Sequence, residues 1–109
     1  MTLRAVFIRF AEDDLKALKR YVVSHFGAAT WRSSYDEIKR AVAAIRVFPD
    51  QGRVPDELAN VGLTQYRQII AGMNRVIYEV RGDTLYVHIV CDTRKDLKSL
   101  LMRRLMLAH

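Results

Sequence analysis

The fold of this 109-residue chain is decided by residues 66–101, which read YRQIIAGMNRVIYEVRGDTLYVHIVCDTRKDLKSLL. Three strands are predicted where β-branched and aromatic residues dominate, at Tyr66–Ile70, Arg75–Val80 and Leu85–Cys91. Gly82-Asp83 has the length and composition of a two-residue hairpin turn between the second and third of them. The chain then enters a cationic helix that opens over Asp92–Leu97. This stretch therefore predicts an antiparallel meander followed by a helix.

The alternation of side chains predicts which residues of the last strand share a face. One face carries Leu85, Val87, Ile89 and Cys91, and the other carries Tyr86, His88 and Val90. Because both faces are largely apolar, we expect this strand to lie inside the sheet rather than at its edge. Cys91 is the only cysteine, which excludes an internal disulfide. Its place at the end of an apolar strand indicates a small core residue rather than a reactive thiol.

Upstream, the sequence predicts one strand and two helices. Leu3–Phe10 favours a strand, with Val6 and Ile8 preferred on its core face over Ala5 and Phe7. The first helix has the apolar stripe Leu15, Leu18, Val22 and Phe26 and ends near Gly27. The second runs from about residue 28 to 47, with the seam Trp31, Tyr35, Ile38, Val42 and Ile45. Phe48-Pro49 stops it, and a turn-rich connector follows.

The predicted order of elements is thus β-α-α-β-β-β-α. We expect an α+β fold in which an antiparallel sheet is packed on one face by an N-terminal helical hairpin. The length suits a single domain over residues 1–109 with one modest core.

The charge is positive and uneven. Lys and Arg number 18 against 12 Asp and Glu, a net charge of +6. Residues 1–60 carry 10 basic and 8 acidic side chains, and residues 61–109 carry 8 and 4. This surplus indicates an anionic or acidic partner for the C-terminal half, although a solubilising surface charge would look the same. No apolar run reaches the roughly 20 residues of a membrane span. Arg4 and Arg9 interrupt any signal-peptide core, so we expect a cytoplasmic protein that does not contact membranes.

Signatures of catalysis are missing from the sequence. It has no phosphate-binding glycine loop, no nucleophile elbow, no HExxH and no CxxC motif, and we predict no catalytic residue, metal site or cofactor. His25, His88 and His109 are scattered, and structural roles are favoured for them. The remaining candidates for function are cationic: Arg53, Arg67, Arg75, Arg94 and Lys95. Converging guanidinium groups bind phosphates or carboxylates. The alternative is ordinary salt bridging to Glu79, Asp92 or Asp96.

An ordered set of short motifs resembles the ParE branch of the RelE/ParE toxins of type II toxin–antitoxin modules. The set consists of Gly52–Leu58, Gly62-Leu63, Tyr66-Arg67, Asn74–Val80, Gly82-Asp83 and Arg94–Leu97. With the strand, the helical hairpin and the connector, the resemblance covers nearly the whole chain. It implies a small sheet with two N-terminal helices, in which the first strand pairs with the last.

The resemblance implies one of two activities. RelE-type members cut messenger RNA in the ribosome with basic side chains and usually a C-terminal aromatic residue, whereas ParE-type members poison DNA gyrase. The RelE pattern matches at Arg67, Arg75 and Arg94, but Ile69 replaces its second basic residue and Leu100 replaces its tyrosine. Arginines stabilise charge but are poor bases. A gyrase inhibitor is therefore favoured over a ribosome-dependent endoribonuclease, and an inactive toxin-like binding module is the third possibility.

The resemblance also implies a partner, a ParD-like antitoxin with a C-terminal segment that folds on the toxin, giving a hetero-oligomer. Such a segment would enter the groove of the helical hairpin or add a strand to an open sheet edge. The candidate contacts are Ala17, Tyr21, Tyr35 and Lys39 on the hairpin, and Tyr66 and Ile70 on the edge strand.

Overall fold

The chain forms a four-stranded sheet with a pair of long helices on one face. The computed structural model describes residues 2–107, so His109 lies outside the described residues. The strands are β1 (Arg4–Phe7), β2 (Tyr66–Ala71), β3 (Asn74–Arg81) and β4 (Thr84–Asp92), and the helices are α1 (Arg9–Phe26), α2 (Ala28–Val47), α3 (Asp56–Ala59) and α4 (Leu97–Leu107). The connector, predicted as a loop, also contains a 3₁₀ turn at Pro49–Gln51. The α+β class and the order of the main elements are confirmed.

The sheet is mixed, and the prediction of a purely antiparallel sheet was wrong. The strand order is β1-β4-β3-β2, and β1 runs parallel to β4. The reason is the path of the helical hairpin, because the end of α2 lies beside the start of β1, where the Leu3 amide donates to the Arg46 carbonyl. The chain therefore enters β2 from the end of the sheet at which it entered β1. An up-down-up meander then makes β4 parallel to β1 and places β4 inside the sheet, as expected.

The core face of β1 also differs from the prediction. Ala5 and Phe7, rather than Val6, point toward the core, because they pair in register with the buried Leu85 and Val87. Val6 lies on the exposed side of this short strand. In α1 the predicted stripe ends at Val22, since Phe26 at the tip of the hairpin is exposed.

A bulge in β4 overturns the predicted alternation of its side chains. Tyr78 pairs with Val87 and Ile77 with Ile89, so His88 is an extra residue on β4. The extra residue reverses the direction of the side chains that follow. Leu85, Val87 and Val90 pack in the core beneath the helical hairpin, and Ile89 and Cys91 pack in a second core beneath α4. Cys91 is buried as predicted, and burial raises the pKa of its thiol.

The last helix begins later than predicted. Its first residue is Leu97, and the carboxylate of Asp96 accepts a hydrogen bond from the Ser99 amide 3.1 Å away. Residues 92–96 therefore form a turn, because the side chain of Asp96 offers the better N-cap. Leu97 and Leu101 bury the helix against Leu58 and Ile77, whereas Leu105 is exposed.

Candidate functional site

Arg75 is a buried member of the sheet. It is only 7% exposed, and its guanidinium donates to the Glu57 carboxylate at 2.8 Å, the Gln68 side-chain oxygen at 3.2 Å and the Lys95 carbonyl at 2.9 Å. These bonds tie α3, β2 and the turn before α4 to β3. The only guanidinium nitrogen without a partner, Nε, is itself buried. Arg75 therefore holds three elements together, and its partner is Glu57 rather than a carboxylate of the predicted set.

Arg67 and Arg53 lie at the connector. Arg67 donates to the Gly52 carbonyl at 2.7 Å, and Arg53 is exposed and pairs its backbone with Gln68. The buried Tyr78 of β3 anchors the connector, because its hydroxyl donates to the Pro49 carbonyl at 2.6 Å and accepts from the Gly52 amide at 3.0 Å. A Cβ atom at Gly52 would lie 2.3 Å from that hydroxyl oxygen, so only glycine fits there.

Arg94 and Lys95 occupy the turn before α4. Arg94 is exposed and forms a bidentate pair with Asp92, at 2.8 and 3.1 Å. The hydrogen bonds from Arg94 lower the pKa of Asp92 to about 2. The side chain of Lys95 is exposed, while its carbonyl accepts from Arg75. The five predicted cations thus do not converge on one anion site: Arg53 and Arg67 lie at the connector, Arg75 is buried, and Arg94 and Lys95 lie beside α4.

Arg94 and Lys95 line a groove of about 910 Å³ between α1 and α4. We call this the α1–α4 groove. Two predicted antitoxin contacts, Ala17 and Tyr21, line it from the α1 side. The apolar residues of its lining that are buried or partly buried, which we call its floor, are Leu18, Val90, Cys91 and Leu100, and the polar Asn74 is buried there as well. Its exposed rim also carries Arg103. The structure therefore brings together two residues from each of the two predicted sets.

An ion pair that the sequence analysis missed closes one end of this groove. The guanidinium of Arg104 in α4 donates two hydrogen bonds, of 2.5 and 2.9 Å, to the two carboxylate oxygens of Asp14 in α1. Both side chains are more than four-fifths buried. Asp14 also accepts from the Val90 amide at 3.0 Å, and Arg104 donates to the His88 carbonyl at 3.3 Å. The partners are 90 residues apart in the sequence, and no local pattern joins them. This pair fixes α4 against α1 and the bulged part of β4.

A second groove, of about 460 Å³, lies between α1 and α2 above β1. We call this the α1–α2 groove. Its walls are mostly apolar, from Ala5, Phe7, Leu15, Ile38, Val42 and Ala43. The two remaining hairpin candidates, Tyr35 and Lys39, lie on its rim, where the Lys39 ammonium sits 4.8 Å from the centre of the Tyr35 ring. This arrangement is a cation–π contact that leaves both side chains exposed to a partner.

The predicted edge-strand contacts differ in exposure. Tyr66 is 4% exposed and packs edge-on against the His88 ring, with centroids 5.1 Å apart, whereas Ile70 is 51% exposed. β2 is an edge strand, as expected, but the bridge between Arg53 and Gln68 covers its middle. The exposed Ile70 lies beyond that bridge, at the end of β2 next to the turn into β3.

One cluster of ionisable groups lies on the sheet face opposite the helical hairpin. His88 Nε2 is 3.0 Å from the Glu79 carboxylate, which also accepts from Arg81 at 3.0 Å. Burial lowers the pKa of His88, although the Glu79 carboxylate opposes this change. Neither groove includes these residues. The cluster is built from three neighbouring side chains that satisfy one another, and none of the five predicted cations belongs to it.

Two further features bear on chemistry. Across residues 2–107, no group of three His, Cys, Asp or Glu side chains is placed to hold a metal ion. None of the helices in that range combines the length and apolar content that crossing a membrane requires.

Comparison with known proteins identifies the family. A search of curated proteins found no match. Among solved structures, 14 chains match, and one of them belongs to the chromosomal ParDE toxin–antitoxin system from P. aeruginosa. The likeness has a TM-score of 0.69 at 15% sequence identity and covers 84% of this chain and 96% of that one, which shows a shared fold. The family model for the ParE toxin of the type II toxin–antitoxin system parDE matches residues 7–97. The chain therefore belongs to the ParE toxin family of type II toxin–antitoxin systems.

Proposed function

We propose that this toxin inhibits DNA gyrase by protein–protein contact, without catalysis, and that a cognate ParD-like antitoxin neutralises it. Membership of the ParE family carries the proposal. The arrangement of the cations supports it, because cleavage of RNA requires groups that accept and donate protons on both sides of the scissile phosphate. Arg75 is buried in three hydrogen bonds and Arg94 is held by Asp92. His88 and Glu79 bond to each other and line neither groove.

The gyrase activity is tested directly with purified protein. We expect the toxin to block ATP-dependent supercoiling of a relaxed plasmid by gyrase or to trap gyrase on cleaved DNA. Relaxation of the same plasmid by topoisomerase I is the control and should be unaffected. Absence of any effect on gyrase, combined with clear toxicity in cells, would contradict the proposal, and codon-specific cuts in translated messages would point to an endoribonuclease instead.

We further propose that the antitoxin segment occupies the α1–α2 groove. Interfaces that persist are more apolar than transient ones, and this groove has the more apolar walls of the two. Tyr35 provides an aromatic contact at its rim. Lys39 provides a cation for an acidic segment, because its pair with Asp36 at 3.3 Å is exposed on both sides and therefore weak enough to exchange.

Ile38 and Val42 are buried, but Phe7 and Leu15 are only partly buried at the α1–α2 groove in the free toxin. Because the antitoxin would cover them, we expect the free toxin to be less soluble than the complex.

An Ala43→Trp change should separate the antitoxin from the toxin. Ala43 is exposed on the wall of the α1–α2 groove, so an indole there fills the space without entering the core. We expect the affinity for the antitoxin to fall by at least about tenfold, measured by calorimetry. Ala29→Trp is the matched control, because Ala29 is exposed on the same helix outside both grooves. Equal antitoxin affinity of the two variants would exclude this groove as the binding site.

A further inference from the structure

The α1–α4 groove has a positive rim that its own carboxylates do not neutralise. Four cations line it against three carboxylates. Asp14 pairs with Arg104 and Asp92 with Arg94, whereas Asp96 accepts from Ser99 and keeps its charge. Lys95 and Arg103 are exposed on the rim, and within residues 2–107 neither forms an ion pair. Two cations are therefore available for an incoming anionic group.

The floor of the groove suits an apolar anchor between those charges. Leu18 and Leu100 are partly buried there, and Tyr21, which is 56% exposed, forms a wall with its ring stacked on His25 at a centroid distance of 4.2 Å. Tyrosine and arginine are among the residue types that most often dominate binding at protein interfaces, and this groove carries both. An apolar side chain on the floor, flanked by carboxylates at the rim, would satisfy both features.

We propose that the α1–α4 groove binds an acidic segment of gyrase that carries an apolar anchor, whereas the α1–α2 groove binds the antitoxin. The proposal rests on the gyrase activity proposed above. A polypeptide suits the groove better than nucleic acid, because the apolar side chains of the groove can bury an apolar side chain, which a sugar–phosphate backbone does not carry. Gyrase suits the α1–α4 groove better than the antitoxin does, because we expect gyrase to be the more transient partner. Transient partners use polar, charged surfaces that guide association.

The test reverses the two available charges. A Lys95→Glu/Arg103→Glu variant should need about tenfold more protein than the wild type to inhibit supercoiling by gyrase holoenzyme, and its antitoxin affinity should be unchanged. Lys19→Glu/Lys98→Glu is the matched control, since it makes the same change in net charge at exposed positions outside both grooves. The concentration of the control variant needed for inhibition should lie within about threefold of that of the wild type, because the control changes only the long-range attraction, which salt screens.

A second variant blocks the groove without changing charge. Ala17 is exposed on the α1 wall, so Ala17→Trp should fill the groove and weaken gyrase inhibition while Ala43→Trp leaves it intact. If the wild type fails to inhibit gyrase, the proposed function is wrong. The groove assignment is overturned if Lys95→Glu/Arg103→Glu and Ala17→Trp both inhibit gyrase as well as the wild type does. It is also overturned if these two variants lose affinity for the antitoxin and still inhibit gyrase.

Discussion

An Asp14→Ala variant is expected to unfold more than about 10 °C below the wild type. Removal of this carboxylate leaves the Arg104 guanidinium buried without its counter-ion and the Val90 amide without its acceptor. Breaking a buried pair in this way costs about 3–5 kcal/mol, because a desolvated charge remains uncompensated. Thermal unfolding followed by circular dichroism measures the loss.

Two companion variants show whether the ion pair is the cause. Asp13→Ala removes an exposed carboxylate from the adjacent position of α1, and its midpoint should match the wild type. Asp14→Leu/Arg104→Met removes both charges together and should recover much of the stability, since paired apolar replacements avoid the uncompensated charge. Equal midpoints for Asp13→Ala and Asp14→Ala would show that the pair contributes nothing measurable.

Arg75→Ala should be the second most damaging change. The Arg75 side chain bridges three elements, and its removal leaves the Gln68 side chain and the Lys95 carbonyl without their donor. We expect a loss of about 2–3 kcal/mol in the free energy of unfolding, measured by urea titration, since unsatisfied polar groups cost about 1–3 kcal/mol each. Glu57 adds little to this figure, because it is already partly exposed to water.

This variant also separates a structural role of Arg75 from a direct role in binding. Arg53→Ala and Arg94→Ala remove exposed guanidinium groups and should leave the urea midpoint nearly unchanged. If Arg75→Ala were as stable as these controls and still failed to inhibit gyrase, Arg75 would contact the target itself. If its inhibition falls only in proportion to the unfolded fraction, its function is to hold the sheet, α3 and the turn before α4 together.

Local patterns were sufficient to predict most elements of the fold. The meander, the Gly82-Asp83 turn and the end of α2 at Val47 follow from residues that are neighbours in the sequence. The errors arose where distant parts of the chain decide the outcome. The parallel pairing of β1 depends on the path of two helices, α1 with 18 residues and α2 with 20. The bulge at His88 depends on the register between β3 and β4.

The candidate site was harder to predict than the fold. Residue type identified the cations, but it could not distinguish the buried Arg75 from the exposed Arg94, because burial depends on what packs above each strand. Similarly, Ala17 and Tyr35 both lie on the helical hairpin, yet they line different grooves, because α4 forms a second groove on the other side of α1. Asp14 and Arg104 carry no signal at all, since their contact forms only when α4 closes over α1.

The shortness of β1 gives the Asp14–Arg104 pair a second consequence. β1 ends at Phe7, opposite Val87, so beyond that point the outer side of β4 has no neighbouring strand. There the carboxylate accepts from one backbone group of β4 and the guanidinium donates to another, as the backbone of a missing strand would. Bare strand edges recruit other chains and lead to aggregation. The two side chains thus occupy backbone groups that a strand from another copy of the molecule would otherwise pair with, which protects this edge against aggregation.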